Sequence, residues 1–324
     1  MRIYATRRLP GSIMQTMSNR FQGHDFEYNP EDERLPRDVL LEKIRGCHAV
    51  MSMLTDRVDE EFFVEAGPQL IVVSNFAVGY DNMVLEDATR HGVYLTNTPD
   101  VLTETTADTA WALLMASARR LGEAERFIRS GVWKQFSPSL LLGVDVWGKT
   151  LGIFGYGRIG AAVARRAQAF KMRVIYHKRN RLSQEEEVEC NLTYVDKDTL
   201  LKESDFISIH CPLTAETHHA FGAEEFKTMR RNAVLVNTAR GPVVDEDALV
   251  HALKHNLLFA AGLDVYEEEP KIHPGLLECE NAFLIPHLGS ATQDTRDRMA
   301  EAVMNNICAA LEGRQPPNLL NKMS

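Results

Sequence analysis

Thr150-Leu151-Gly152-Ile153-Phe154-Gly155-Tyr156-Gly157-Arg158-Ile159-Gly160 reads as a buried strand that runs straight into a glycine turn. Gly155, Gly157 and Gly160 stand in G-x-G-x-x-G spacing, and Ile159, Val163, Ala167 and Phe170 then recur at the period of a helix. Strand, glycine turn and helix in that order make a dinucleotide fingerprint. Gly155 permits the tight turn, Gly157 lets the backbone approach a pyrophosphate, and Gly160 lets the helix pack close on the strand. The start of that helix, at Arg158, Ile159 and Gly160, then offers N–H groups to phosphate.

Outward from this stretch, the chain alternates short apolar runs with helical patterns. Downstream strands are predicted at 173–177, 206–210, 233–237, 260–263 and 283–285, after the one at 150–154. Upstream, strands at 2–6, 26–28, 48–53, 70–74 and 93–96 alternate with helices at 12–21, 37–45, 60–65 and 84–90. Such alternation implies parallel sheets with helices on both faces. Between the two sets, an Ala- and Leu-rich stretch from about 104 through 118 toward 129 reads as one long connecting helix. An irregular segment follows at 132–148. Its Trp133, Phe136 and Leu140-Leu141-Leu142 suggest a subunit contact, a covered pocket, or a loop folded back on its own domain. The run Gln184-Glu185-Glu186-Glu187, within 182–188, reads as a solvated surface stretch. A final helix at 294–311 precedes Pro316-Pro317-Asn318-Leu319, which is expected to cross back to the first domain. The predicted fold is therefore α/β, with two doubly wound parallel-sheet domains and an active-site cleft between them. One is a flavodoxin-like substrate domain, 1–98 with 288–324, and the other a Rossmann dinucleotide-binding domain, 99–287.

Composition narrows the function classes. The chain has 324 residues, enough for two domains, and a net charge of −9 that disfavours a nucleic-acid partner. No stretch is long and apolar enough to span a membrane, and the N-terminus lacks the pattern of a signal peptide, so a cytoplasmic location is expected. Five scattered cysteines without C-x-x-C spacing argue against a disulfide framework or a zinc site. His251 and His255 stand four apart, but the motif that would make them zinc ligands has Glu where this chain has Ala252, and no metal site is predicted.

In open α/β sheets ligands bind beyond the carboxyl ends of the strands. There the chain carries Asn237-Thr238-Ala239-Arg240-Gly241, Asp264-Val265-Tyr266-Glu267-Glu268-Glu269 and His287-Leu288-Gly289-Ser290, with Ser74 to Asp81 in the first domain. Arg240 can grip a carboxylate with two parallel hydrogen bonds. Glu269 can orient His287 and favour its imidazolium, which would protonate a carbonyl oxygen while a cofactor delivers hydride to the carbon. Thr238, Ala239 and Gly289 fall on the cofactor side of the same edge, and Cys211-Pro212, ending the strand at 206–210, should pass close to the adenine. His210, His218 and His219 near strand ends are read as ordinary packing, and Ser290 and Thr292 as caps of the last helix.

Arg240 in N-T-A-R-G, Asp264 and Glu269 in G-L-D-V-Y-E-E-E-P and His287 in P-H-L-G-S-A-T, downstream of G-Y-G-R-I-G, resemble the signature set of the D-isomer-specific 2-hydroxyacid dehydrogenases. V-G-Y-D-N at 78–82, T-N-T-P-D-V-L-T at 96–103, T-A-D at 106–108 and P-P-N-L at 316–319 are similar to the glyoxylate and hydroxypyruvate reductase branch. The resemblance implies that His287 is the acid/base, Glu269 its partner, and Arg240 the holder of the substrate carboxylate and keto oxygen, helped by backbone N–H groups at Val78 and Gly79. It places Asp264 near the nicotinamide and Thr106 near the carboxamide or phosphates. It further implies a small 2-ketoacid substrate, a homodimer built on the cofactor domain, and a shortened segment at 132–148. Other members would reduce bulkier 2-ketoacids or oxidise phosphite, and a different class would be a corepressor-like protein that senses the dinucleotide.

At the end of the second strand of the cofactor domain, NAD-preferring proteins place an acidic residue on the adenosine ribose. Here Lys178 stands in that place, with Arg179 and Arg181 close behind. A basic cluster attracts a 2′-phosphate, so NADP(H) is expected to be preferred, with NAD(H) as the alternative.

Overall fold

The computed structural model describes residues 1–322, so residues 323 and 324 of the predicted substrate domain lie outside the described residues. The chain forms two compact units, Met1–Leu102 with the tail from Ala291 onward, and Thr103–Ser290.

The first unit is built on five parallel strands. In chain order it runs β1 (Arg2–Ala5), α1 (Gly11–Arg20), β2 (Asp25–Tyr28), α2 (Arg37–Ile44), β3 (Ala49–Ser52), α3 (Glu60–Ala66), β4 (Val72–Asn75), α4 (Leu85–Arg90) and β5 (Tyr94–Thr96). The strand order β2-β1-β3-β4-β5 is that of a flavodoxin-like sheet. Val50, Val73 and Leu95 are fully buried along its strands, and Phe62 and Phe63 of α3 pack on the same core. Asp59 starts α3 by accepting from the Phe62 N–H. The tail rejoins this unit through an antiparallel bridge between Leu319 and Thr96. The C-terminal helix Gln293–Leu311, capped by Thr292, buries Val303 and Ile307.

The second unit carries seven parallel strands. It runs α5 (Thr103–Ala118), α6 (Leu121–Arg129), β6 (Thr150–Phe154), α7 (Arg158–Ala169), β7 (Arg173–His177), α8 (Gln184–Glu189), β8 (Leu192–Tyr194), α9 (Lys197–Glu203), β9 (Phe206–Ile209), α10 (Ala223–Thr228), β10 (Val234–Asn237), α11 (Glu246–Lys254), β11 (Ala260–Leu263), α12 (Pro274–Leu277) and β12 (Ala282–Leu284). Strand order is β12-β11-β10-β9-β6-β7-β8, the dinucleotide-binding order with one added edge strand. The direction of winding reverses between β6 and β9, so the crevice for a ligand opens where Gly155 and Cys211 end those strands.

Three expectations are corrected. The long helix is two helices, broken at Arg120, which sits in the left-handed region at φ 52°. The Val144 N–H takes the Ala118 carbonyl at 2.9 Å, and Gly143 comes so near Ala118 that a Cβ there would lie 2.3 Å from that oxygen. That incoming loop ends the helical ladder. The acidic stretch at 182–188 is not merely solvated: α8 opens on a Ser183–Glu186 capping box and buries Glu187. A seventh strand, β8, was not among the predicted ones: it lies at the sheet edge with only Leu192 buried, so no apolar run marks it.

Candidate active site

The cofactor side follows from the glycine turn. Gly155 sits at φ +95°, and a Cβ there would lie 2.4 Å from the Cys211 nitrogen, so only glycine lets β6 turn beside the end of β9. At Gly160 a Cβ would meet the Gly155 carbonyl oxygen at 2.7 Å, which is the close helix–strand packing the motif exists to allow. A Cβ on Gly157, by contrast, would meet nothing within 4 Å, and no side chain caps α7 at this residue. Open space before an uncapped twelve-residue helix is what a pyrophosphate requires. Thr238 fits the same reading: its hydroxyl, just past β10, is buried and lacks a partner among the described residues. Thr106, Asp264 and Gly289 come together, since a Cβ on Gly289 would lie 3.1 Å from Asp264 Oδ2 and 3.3 Å from Thr106 Cγ2. Burial pushes the Cys211 thiol up to about 12, which keeps it neutral and inert.

At the end of β7 the basic cluster divides. Arg181 makes two hydrogen bonds of 2.7 Å to Glu187 and lies 5.2 Å over the Tyr194 ring. Glu187 also accepts from the Tyr176 hydroxyl at 2.7 Å, and these bonds, that from Arg181 first, hold its carboxyl down at about 2. Arg181, expected beside the cofactor, is therefore committed to a carboxylate. Lys178 and Arg179 form no ion pair among the described residues. Arg179 is exposed and Lys178 half-buried.

The candidate catalytic edge is assembled from the loops after β10, β11 and β12. Asn237 accepts from the Ala239 N–H at 3.0 Å and donates to the Arg240 carbonyl at 2.9 Å, so one side chain shapes the loop that carries Arg240. A Cβ on Gly241 would lie 1.8 Å from the Tyr266 carbonyl carbon, so this loop interlocks with the one after β11. Asp264, 1% exposed, receives the Leu288 N–H on one oxygen and the Gly289 N–H on the other, the latter at 2.8 Å. Its own carbonyl takes the His287 N–H at 2.9 Å. Between these anchors His287 adopts a φ of 52°, an uncommon conformation for a side chain of its size and one the surrounding bonds must impose.

His287 Nδ1 lies 2.8 Å from Glu269 Oε2, and Glu269 Oε1 accepts from the Tyr266 N–H at 3.0 Å. Two carboxylates thus share the site with opposite tendencies. Burial raises the Asp264 carboxyl, and the charge of Glu269 adds to this, outweighing the two backbone N–H bonds and His287. Burial also pushes Glu269 up, but the hydrogen bond and charge of His287, the Tyr266 N–H and Arg240 prevail, leaving it below the ordinary carboxylate range. An ionised Glu269 can only accept, so Nδ1 carries the proton in that bond and Nε2 is left to exchange protons with a ligand. His210 is unsuited to that work: burial pushes it down to about 3, and Ser208 Oγ binds its Nε2 at 2.7 Å.

Glu269 and His287 meet as expected, whereas Asn237 as the organiser of the Arg240 loop and the dual backbone grip of Asp264 were not among the expectations. An asparagine two residues before an alanine that needs a turn was the available signal for the first. His219 pairs with Glu267 at 2.9 Å, and His251 and His255 stack on an exposed helix face. Val78 and Gly79 belong to the first unit, in the loop after β4. Among the described residues no cluster of His, Cys, Asp or Glu is placed to hold a metal ion, and no helix is long and apolar enough to cross a membrane.

Residues 111–289 match the sequence pattern of a family described as D-isomer specific 2-hydroxyacid dehydrogenase, NAD binding domain. A glyoxylate reductase of Thermococcus litoralis is 49% identical over 99% of this chain and 97% of its own length. The solved structure of the TT0316 protein from Thermus thermophilus superposes with a TM-score of 0.91 at 44% identity, covering 99% of this chain and 100% of that one. An NADPH-dependent glyoxylate/hydroxypyruvate reductase of Sinorhizobium meliloti, solved with NADP and malonate, gives 0.84 at 32% identity over 98% and 96% of the two chains.

Proposed function

This chain belongs to the D-isomer-specific 2-hydroxyacid dehydrogenase family, and from that premise we propose that it reduces glyoxylate, and hydroxypyruvate with it, to the 2-hydroxyacid, with NADPH as the preferred cofactor. The observation that carries this reading is the His287–Glu269 pair at 2.8 Å, on the same sheet edge as the Arg240 loop and the open glycine turn. When bound, a reduced nicotinamide dinucleotide supplies hydride to the carbonyl carbon. The chain's own residues do the rest. Arg240 holds the carboxylate and keto oxygen through its planar fork. His287 Nε2 gives a proton to the carbonyl oxygen as negative charge grows there, and Glu269 stays ionised to hold the imidazolium in place. Val78 and Gly79 are assigned to the same carboxylate through their backbone N–H groups. Residues suited to the cofactor are the Gly155 to Gly160 turn, Thr106, Thr238, Asp264 and Gly289, with Lys178 and Arg179 for a 2′-phosphate.

Support for the substrate comes from the glyoxylate reductases that are similar over nearly their whole length, and for NADPH from Lys178 standing directly after β7, where an acidic residue would hold the ribose. A second copy is proposed to dock on the second unit through the exposed Trp133, Phe136, Leu142 and Trp147. Steady-state turnover of glyoxylate, hydroxypyruvate and phenylpyruvate with NADPH tests the substrate reading. Glyoxylate and hydroxypyruvate are expected to give the higher kcat/KM, by about tenfold or more over phenylpyruvate. A preference for the aryl substrate would overturn it.

A further inference from the structure

The loop after β4 is tied down by its carbonyls, and that leaves its N–H groups facing outward. The Thr98 N–H takes the Ala77 carbonyl at 2.9 Å, Asn97 Nδ2 takes the Val78 carbonyl at 2.7 Å, and Asn75 Nδ2 takes the Gly79 carbonyl at 3.0 Å. In a trans peptide the C=O and the following N–H point in opposite directions. Anchoring the Ala77 and Val78 carbonyls to the adjacent residues Asn97 and Thr98 therefore turns the Val78 and Gly79 N–H groups away from that segment. Neither N–H donates to any of the described residues. Two successive half-buried N–H groups without an internal acceptor suit a ligand carboxylate.

Asn97 is itself held. It is 7% exposed, and its carbonyl accepts from Asn306 Nδ2 of the C-terminal helix at 3.1 Å. Asn306 is fully buried, and its Oδ1 accepts from the backbone and side chain of Asn318, each at 3.2 Å. The Pro-Pro-Asn-Leu tail thus reaches the substrate loop through an unbroken chain of hydrogen bonds, from Asn318 to Asn306 to Asn97 to Val78.

We infer that Asn97 is a positioning residue for substrate, fixing the Val78–Gly79 peptide so that its N–H captures the carboxylate, with Asn306 and Asn318 holding Asn97 in register. This rests on the reading of Val78 and Gly79 as substrate ligands. It is tested with N97D, which keeps the shape but replaces the donor with an acceptor facing a carbonyl, and with N97S, whose side chain is too short to reach Val78. In both, the KM for glyoxylate and the inhibition constant of oxalate are expected to rise together by about tenfold, while kcat changes by less than about threefold. NADPH affinity, read by fluorescence titration, is expected to hold, whereas a merely structural defect would lower it along with the melting temperature. Either folded variant with KM and oxalate inhibition within about twofold of the unsubstituted protein would overturn the inference. An unsubstituted protein that neither reduces glyoxylate nor binds oxalate would overturn the reductase reading, and the inference with it.

Discussion

Replacing His287 with alanine is expected to lower kcat for 2-ketoacid reduction by about a thousandfold, the usual worth of a well-placed general acid. NADPH affinity should stay unchanged, because the substitution leaves the glycine turn and the Asp264 grip on Leu288 and Gly289 in place. Glu269 enters the same step indirectly. Its carboxylate lies 2.8 Å from His287 Nδ1 and is held below its ordinary range, so it carries a full negative charge across the neutral range. Glu269→Gln removes that charge from beside the ring that must pass the proton, and a charge-assisted bond worth about 1.5–3 kcal/mol corresponds to a fall in kcat of about tenfold or more. Full activity in either variant would contradict the assignment.

The second large effect concerns the cofactor. Lys178→Asp combined with Arg179→Ser replaces two cations at the end of β7 with a carboxylate and a neutral hydroxyl. Each cation–phosphate bond is worth about 1.5–3 kcal/mol, and the new carboxylate repels a 2′-phosphate while accepting from ribose hydroxyls. The ratio of kcat/KM for NADPH over NADH is expected to fall by about a hundredfold or more. Arg181 should contribute little, since Glu187 already holds its guanidinium by two bonds of 2.7 Å. A ratio that stays constant in the double variant would remove the case for NADPH preference.

The parts of the molecule written in local pattern were legible. The Gly155, Gly157 and Gly160 spacing and the apolar period of α7 located the tight turn between β6 and α7, because steric demands at a strand-to-helix crossing leave few residue types that work. Arg240, Glu269 and His287 could be found because each directly follows a strand, or lies on the loop after one, in a parallel sheet. Features created by contacts through space were not legible. No glycine or proline stands at Arg120 itself, and Gly122 lies inside α6; the Val144 N–H arriving at Ala118 makes the break between α5 and α6. Glu187 stands in a run of charge that looks solvated, and only Tyr176 and Arg181, brought to it by the fold, explain its burial. One signal was overlooked: Ser183 followed three residues later by Glu186 is a capping box readable from the chain itself. The chain from Asn318 to Val78 spans residues far apart in sequence and could not be read before the tail was placed.

Reduction of glyoxylate yields a product without a stereocentre, so it cannot report on which face of the carbonyl the hydride arrives. Hydroxypyruvate can. Chiral analysis of the glycerate that the purified chain forms from hydroxypyruvate and NADPH is therefore the most direct test of its place among the D-isomer-specific dehydrogenases. D-glycerate alone is the expected product; L-glycerate, a racemate or no glycerate would contradict the proposed reaction.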